Sequence, residues 1–295
     1  MRRAVFLVSA LVLASCGSHV ATSASATPRP TGDSTAAASA PATAASGTQE
    51  AVLGPAGMTL QQEIGAVMMV GFTGPLTPAV LKDWRQHQFG GLIVVPIYKN
   101  AEDATAIRQL IQSVRGVMLH PLMAAINSEL PTTASGAKAL GFDINFAPVG
   151  DGKDVTAAIA GIHAAGMYAA AEHFPSGGKS DATAFRAAIA AHVEFVVVGH
   201  LNVPSIVLPK ELGYQGVIIS DDLQMGALSP QYPPPAAAVR FLKNGGDMVI
   251  ISRDLAVADA TYAAIYAAVL NGSYPRAQLD ASVQKLLSLG LRYMP

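Results

Sequence analysis

Eight short apolar runs, at residues 67–72, 91–96, 122–127, 144–149, 167–174, 195–200, 217–220 and 248–252, alternate along this chain with segments of helical periodicity. Within each run the hydrophobicity is continuous rather than alternating, as a strand covered on both faces requires. Strands in regular alternation with helices build parallel sheets, and eight of them are the number that closes one into a ring. The sequence therefore predicts an α/β fold, a (β/α)8 TIM barrel, with residues 51–295 as a single domain. Two intervening segments carry clear helical stripes. Ile107, Leu110, Ile111 and Val114 form one, with Asn100 placed to cap it and Glu102 and Asp103 favourable in its first turn. Leu279, Val283, Leu286 and Leu287 form the other, with Asp280 near its start.

The region before the barrel has a different physical character. Arg2 and Arg3 precede an apolar run that ends at Ala14, the pattern of a secretory signal and too short to span a bilayer. Leu13-Ala14-Ser15-Cys16 resembles a bacterial lipobox, which predicts removal of residues 1–15 and lipidation of Cys16; a plain secretory signal with an incidental cysteine is the alternative. Cys16 is the sole cysteine, which excludes a disulfide framework and a cysteine-based metal cage. Each buried methylene of an acyl chain adds roughly 0.8 kcal/mol, so several chains together hold a protein on the membrane. Residues 16–50 are dominated by Ala, Ser, Thr, Pro and Gly, too poor in large apolar groups to offset the entropy of ordering. They read as a tether spanning on the order of 30 Å. The expected location is the outer face of the bacterial cytoplasmic membrane.

Charge narrows the partners. Nineteen Lys and Arg against 20 Asp and Glu give a formal charge of −1, and without Arg2 and Arg3 the balance is −3, which argues against nucleic acid as a partner. The seven histidines lack His-Glu-x-x-His or similar spacing, so no metal site and no cofactor is expected. Gly178-Lys179-Ser180 looks like the tail of a phosphate-cradling loop, but His173 stands where its leading glycine must be, which excludes it.

In a barrel of this kind the chemistry lies at the carboxyl ends of the strands. Asn127, Asp151, His173, His200, Asp221 and Arg253 fall at or just beyond those ends. Asp151 suits either a turn cap or a substrate contact, and His200 either a hydrogen-bonded rim residue or a ligand contact. Asp221 stands out because it adjoins Asp222, and two like charges this close are costly unless both are solvated or paired.

Several segments, in order, resemble family 3 glycoside hydrolases, closest to the bacterial β-N-acetylglucosaminidases that trim peptidoglycan fragments. Met58-Thr59-Leu60 leading into Val67-Met68-Met69-Val70-Gly71-Phe72 is similar to the family's opening helix and strand, Gly90-Gly91-Leu92-Ile93 to its second strand, and Asn145-Phe146-Ala147-Pro148-Val149 with Asp151 to its fourth. The most specific likeness is Gly216-Val217-Ile218-Ile219-Ser220-Asp221-Asp222-Leu223-Gln224-Met225. The resemblance implies that Asp221 is the nucleophile of a retaining mechanism and that Asn127, Asp151, His173 and His200 face a cell-wall sugar or muropeptide. An ionised Asp221 is then required, with Ser220 or backbone amides as donors to it.

The resemblance also has gaps. After Pro175 the family carries Gly-His-Gly and then Asp-Ser-His, whose histidine transfers the proton; here Ser176-Gly177-Gly178 and Thr183-Ala184-Phe185 stand in those places. Glu172 replaces a lysine before His173, Asn127 an aspartate, and Glu129-Leu130-Pro131 a longer Glu-Gly-Gly-Arg segment. Two carboxylates remain as substitutes for the acid/base, Glu172 or Asp181. The expectation is a hydrolase of β-linked N-acetylglucosamine with weakened or lost activity, or a catalytically silent barrel that binds wall sugars or a protein.

Overall fold

The computed structural model describes residues 53–101, 103–127, 133–146, 154–174, 183–199, 211–225 and 232–290. The leader, Cys16 and the tether lie outside them. The barrel unit runs Glu50–Pro295. Its strands are β1 Met68–Val70, β2 Gly91–Val94, β3 Met123–Asn127, β4 Ile144–Phe146, β5 Tyr168–Phe174, β6 Phe195–Val198, β7 Val217–Asp222 and β8 Met248–Ile251. Each expected run holds one, and β7 overruns its own by two residues. Neighbours pair parallel in chain order, and β8 returns to β1 through Met68↔Val249 and Val70↔Ile251, which closes the ring.

The helices among the described residues are α1 Leu60–Ala66, α2 Pro78–His87, α3 Ala104–Arg115, α4 Ala134–Leu140, α5 Val155–Ala164, α6 Thr183–Ala190, α7 Pro234–Lys243, α8 Leu255–Leu270 and α9 Arg276–Gly290. The stripe of α3 is buried as expected, with Ile107, Leu110, Ile111 and Val114 all in the core, each worth about 1.5–3 kcal/mol relative to exposure. Its cap differs from expectation. Asp103, not Asn100, accepts the free N–H groups of Thr105 and Ala106, because a carboxylate one residue before the helix reaches them directly. Asn100 is instead buried, and its Nδ2 donates to the carbonyl of Phe72, tying the β2–α3 loop to the end of β1. On α9, Leu279, Val283 and Leu286 are buried and Leu287 packs at the margin.

At the amino ends of the strands one device recurs. Asp143, Glu194 and Asp247 immediately precede β4, β6 and β8, and their carboxylates accept the backbone N–H of Ala124, Ala169 and Ile218, the second residues of β3, β5 and β7, at 2.9, 3.0 and 2.9 Å. Each acid also meets a basic side chain from an outer helix: Arg115 at 2.6 Å, His163 at 3.0 Å and Lys285 at 2.7 Å, respectively. A buried backbone donor beside an unpaired carboxylate would be doubly costly; together, and joined to a basic side chain, they fix the register of paired strands and anchor the helix layer. This end of the barrel serves stability, which leaves the opposite rim for chemistry.

Candidate active site

β7 ends on Asp221 and Asp222, both inside the strand, two residues beyond the expected end of the run. The reason is a change of register. Ile219 pairs with Met248 and Asp222 with Ile250, so three residues of β7 advance against two of β8. A bulge of this kind re-aims side chains, and bulges concentrate at barrel rims and beside active sites. The other shift between described strands is in β5, where Ala171 pairs with Val196 and Phe174 with Val198. The two irregularities therefore fall on Ser220-Asp221 and on Glu172-His173, the positions singled out by the sequence.

The neighbouring acids divide their roles. Asp222 Oδ2 accepts the Ser252 hydroxyl at 2.6 Å, and Oδ1 accepts the N–H groups of Ser252 and Gln224 at 3.1 Å each. It straps the end of β7 to the end of β8. Gln224 extends the strap, its Oε1 accepting the N–H of Arg253 at 2.8 Å and of Asp254 at 3.0 Å. Asp221 is half-buried, and its Oδ1 accepts the Asp222 N–H at 2.8 Å. The repulsion expected between adjacent carboxylates is thus relieved by distinct sets of donors. Of the donors expected for Asp221, the backbone amide is present. The Ser220 hydroxyl is used otherwise: fully buried, it accepts the Ile250 N–H at 3.0 Å and repairs the ladder where the register shifts.

Gly71 shows how tightly this rim is built. A Cβ there would sit 2.3 Å from the Ser252 carbonyl oxygen, in the wall that also carries the strap, so only glycine lets β1 and β8 approach so closely.

Among the other expected site residues, Glu172 lies half-buried in β5, and His173 follows it in the same strand. Asn127 ends β3 opposite Phe146 of β4. Asp151, Asp181 and His200 lie outside the described residues, as does Cys16. Strand spacing puts β5 and β7, separated by β6, roughly 10 Å apart at the backbone. Thr183 and Phe185, which stand where the family has its acid and histidine, belong to α6, and Phe185 is 2% exposed, in the core. That position packs a helix against the barrel and has no proton to offer.

Ser252 and Gln224 were not singled out by the sequence. Both are legible as rim residues, but nothing in the chain order announces that the Ser252 hydroxyl and the Gln224 backbone N–H converge on Asp222. The sequence also gave no warning of the one group among the described residues able to hold a metal ion. Asp83 and His87 on α2 and Asp259 on α8 bring their ligand atoms within 4.8 Å of one another. The available signal was the four-residue spacing of Asp83 and His87 on one helix face.

As it stands, this group is an ion triad between helices. His87 Nδ1 lies 2.8 Å from Asp83 Oδ1 and 3.6 Å from Asp259 Oδ1. Burial acts against the imidazolium, but the hydrogen bond to Asp83 and the charges of Asp83 and Asp259 outweigh it, so the ring titrates above its ordinary 6.5. A pKa raised by folding contributes stability that is complete below about pH 6.5 and disappears as pH rises through the folded value. The thermal midpoint is expected to fall between about pH 6 and about pH 8, and His87→Gln to flatten that fall. An unchanged slope in the variant would remove His87 from the explanation.

A cavity of about 700 Å³ is lined by Arg115, Leu119, His120, Met123, Asp143 and Tyr168. It sits at the amino ends of β3 to β5, the wrong end for Asp221. At the carboxyl rim a cleft of about 460 Å³ is lined by Phe72, Thr73, Val80, Arg253, Asp254 and Leu255.

Comparison with known proteins places this architecture. Residues 179–289 match the Glycosyl hydrolase family 3 N terminal domain. A Beta-hexosaminidase of Stenotrophomonas maltophilia (strain R551-3) is 23% identical over 67% of this chain and 86% of its own length. A Beta-N-acetylglucosaminidase/beta-glucosidase of Cellulomonas fimi is 26% identical over 43% of this chain and 30% of its own length. Among solved structures, a glycoside hydrolase family 3 beta-N-acetylglucosaminidase from Paenibacillus sp. str. FPU-7 superposes with a TM-score of 0.70 at 23% identity, over 80% of this chain and 62% of that one. At such identity the superposition speaks for the fold alone.

Proposed function

Because the chain belongs with the β-N-acetylglucosaminidase-like barrels of glycosyl hydrolase family 3, we propose that it accepts β-linked N-acetylglucosamine of cell-wall fragments at the carboxyl rim and cleaves it slowly with retention. Asp221 is the nucleophile: it attacks the anomeric carbon, the leaving-group oxygen departs with its electron pair, and water then displaces the carboxylate from the glycosyl-enzyme. The observation that carries this reading is the position of Asp221 on the β7 bulge, beside an Asp222 locked to Ser252. A strap that immobilises the neighbour and leaves Asp221 an amide donor suits a carboxylate kept ionised and in place.

Proton transfer to the leaving group falls to Glu172 or Asp181, since Phe185 is core. Without a well-placed acid, rates drop roughly 10²- to 10⁴-fold. The loss is felt only when the leaving group needs protonation. An aryl β-N-acetylglucosaminide with an acidic phenol is expected to turn over, while chitobiose is cleaved at least about a hundred-fold more slowly. Equal rates on the two would mean that an efficient general acid is present; no turnover of the aryl glycoside alongside measurable sugar binding would favour the silent-binder reading, which the burial of Phe185 also supports. The lipidated Cys16 and the tether complete the proposal: a surface lipoprotein working close to the membrane's outer face, on muropeptides rather than intact polymer.

A further inference from the structure

The cleft beside β8 has one feature that the chemistry at Asp221 does not use. Arg253 follows the strap residue Ser252, and its main chain is held from both sides: its N–H donates to Gln224 Oε1 at 2.8 Å, and its carbonyl accepts the Thr73 hydroxyl at 3.1 Å. The guanidinium, exposed at the rim, has one contact among the described residues, a long one of 3.4 Å from Nη2 to the Gln224 carbonyl. Among the described residues no carboxylate lies within ion-pair distance of it; Asp254 next door uses Oδ1 to cap α8 at the N–H of Ala256, at 2.9 Å. A cation displayed from a fixed backbone, with no acid among the described residues to neutralise it, flanks apolar walls from Phe72, Val80 and Leu255. The same Gln224 that holds it stands three residues after Asp221.

We propose that Arg253 is a specificity-determining residue that receives a carboxylate carried by the unit next to the N-acetylglucosamine. This rests on the reading of Asp221 as the sugar-facing nucleophile. The rim already carries Asp221, Asp222 and Asp254, so an anionic ligand approaches against negative charge unless a cation meets it. A guanidinium offers a planar fork that matches a carboxylate, whereas a neutral sugar leaves it hydrated at no cost. The ligand class is therefore an acidic glycan unit, such as a sugar bearing a carboxylate on an ether substituent.

Calorimetry on the full chain with two disaccharides tests this: chitobiose, which is neutral, and N-acetylglucosaminyl-β-1,4-N-acetylmuramic acid, which carries the carboxylate. The wild type should bind the acidic disaccharide about five-fold more tightly, the scale of a solvent-exposed charged pair. Arg253→Gln should erase that preference and leave chitobiose affinity unchanged, and raised salt should erode it in the wild type. A preference that is absent from the wild type, or that survives in the variant, overturns the assignment of Arg253 and leaves the reading of the site intact. Failure of both sugars to bind overturns that reading too.

Discussion

Asp221→Asn is expected to lower turnover of an activated aryl β-N-acetylglucosaminide by about a thousand-fold or more, with little change in thermal midpoint. The size follows from removing the group that forms the covalent intermediate, a role with no substitute in the same strand. The neutral thermal effect follows from the wiring. The bonds that hold the β7 end to β8 belong to Asp222, through Ser252 at 2.6 Å, whereas Asp221 accepts the adjacent amide at 2.8 Å. An asparagine side-chain oxygen still accepts that N–H. Steady-state kinetics with thermal melts of the same preparations check both halves. Full activity in the variant would move the nucleophile elsewhere, and a large fall in midpoint would make Asp221 a structural acid.

The second large effect lies at the other end of the barrel. Asp247→Ala should destabilise the barrel by about 3 kcal/mol, from the loss of a buried, charge-assisted network. Its carboxylate takes the Ile218 N–H at 2.9 Å, the Ser282 hydroxyl at 3.0 Å and the Lys285 ammonium at 2.7 Å. Removal leaves a buried backbone donor and a buried hydroxyl without partners; Lys285, partly exposed, recovers water and limits the damage. For a unit of this size that corresponds to a fall of roughly 6–12 °C in midpoint. Denaturant unfolding checks the figure. A change below about 0.5 kcal/mol would mean that the acid before β8 is dispensable, and with it the case for the same device before β4 and β6.

The barrel was legible because burial on both faces leaves a one-dimensional mark. Runs such as Phe195–Val198 and Met248–Ile251 are apolar at every position, and no helix on a polar exterior looks like that. Strand ends were less legible. The β7 run ends at Ser220 by hydrophobicity, yet pairing carries it to Asp222, because hydrogen bonding through a bulge tolerates charge where packing does not. Asn100 misled for a related reason: a residue suited to capping α3 found a buried carbonyl just past β1, and Asp103, nearer the helix, took the cap. The pairing acids Asp143, Glu194 and Asp247 were invisible in sequence because each answers an N–H that lies 19 to 29 residues earlier in the chain.

At the site, the carboxylate pair was visible as charge at the end of an apolar run, and its division of labour was not. Asp222's bonds to Ser252 reach thirty residues downstream, to the position just past β8. The departure at Phe185 was legible as the wrong chemistry for proton transfer; that it is a core residue of α6 needed the helix.

Mass spectrometry after incubation with a 2-deoxy-2-fluoro glycoside bearing a good leaving group tests the central claim most directly, since such a leaving group departs without acid assistance and isolates the nucleophilic step. Attachment of the fluorosugar to the peptide containing Asp221 is the predicted result. Attachment to any other residue, with Asp221 unmodified, would contradict it.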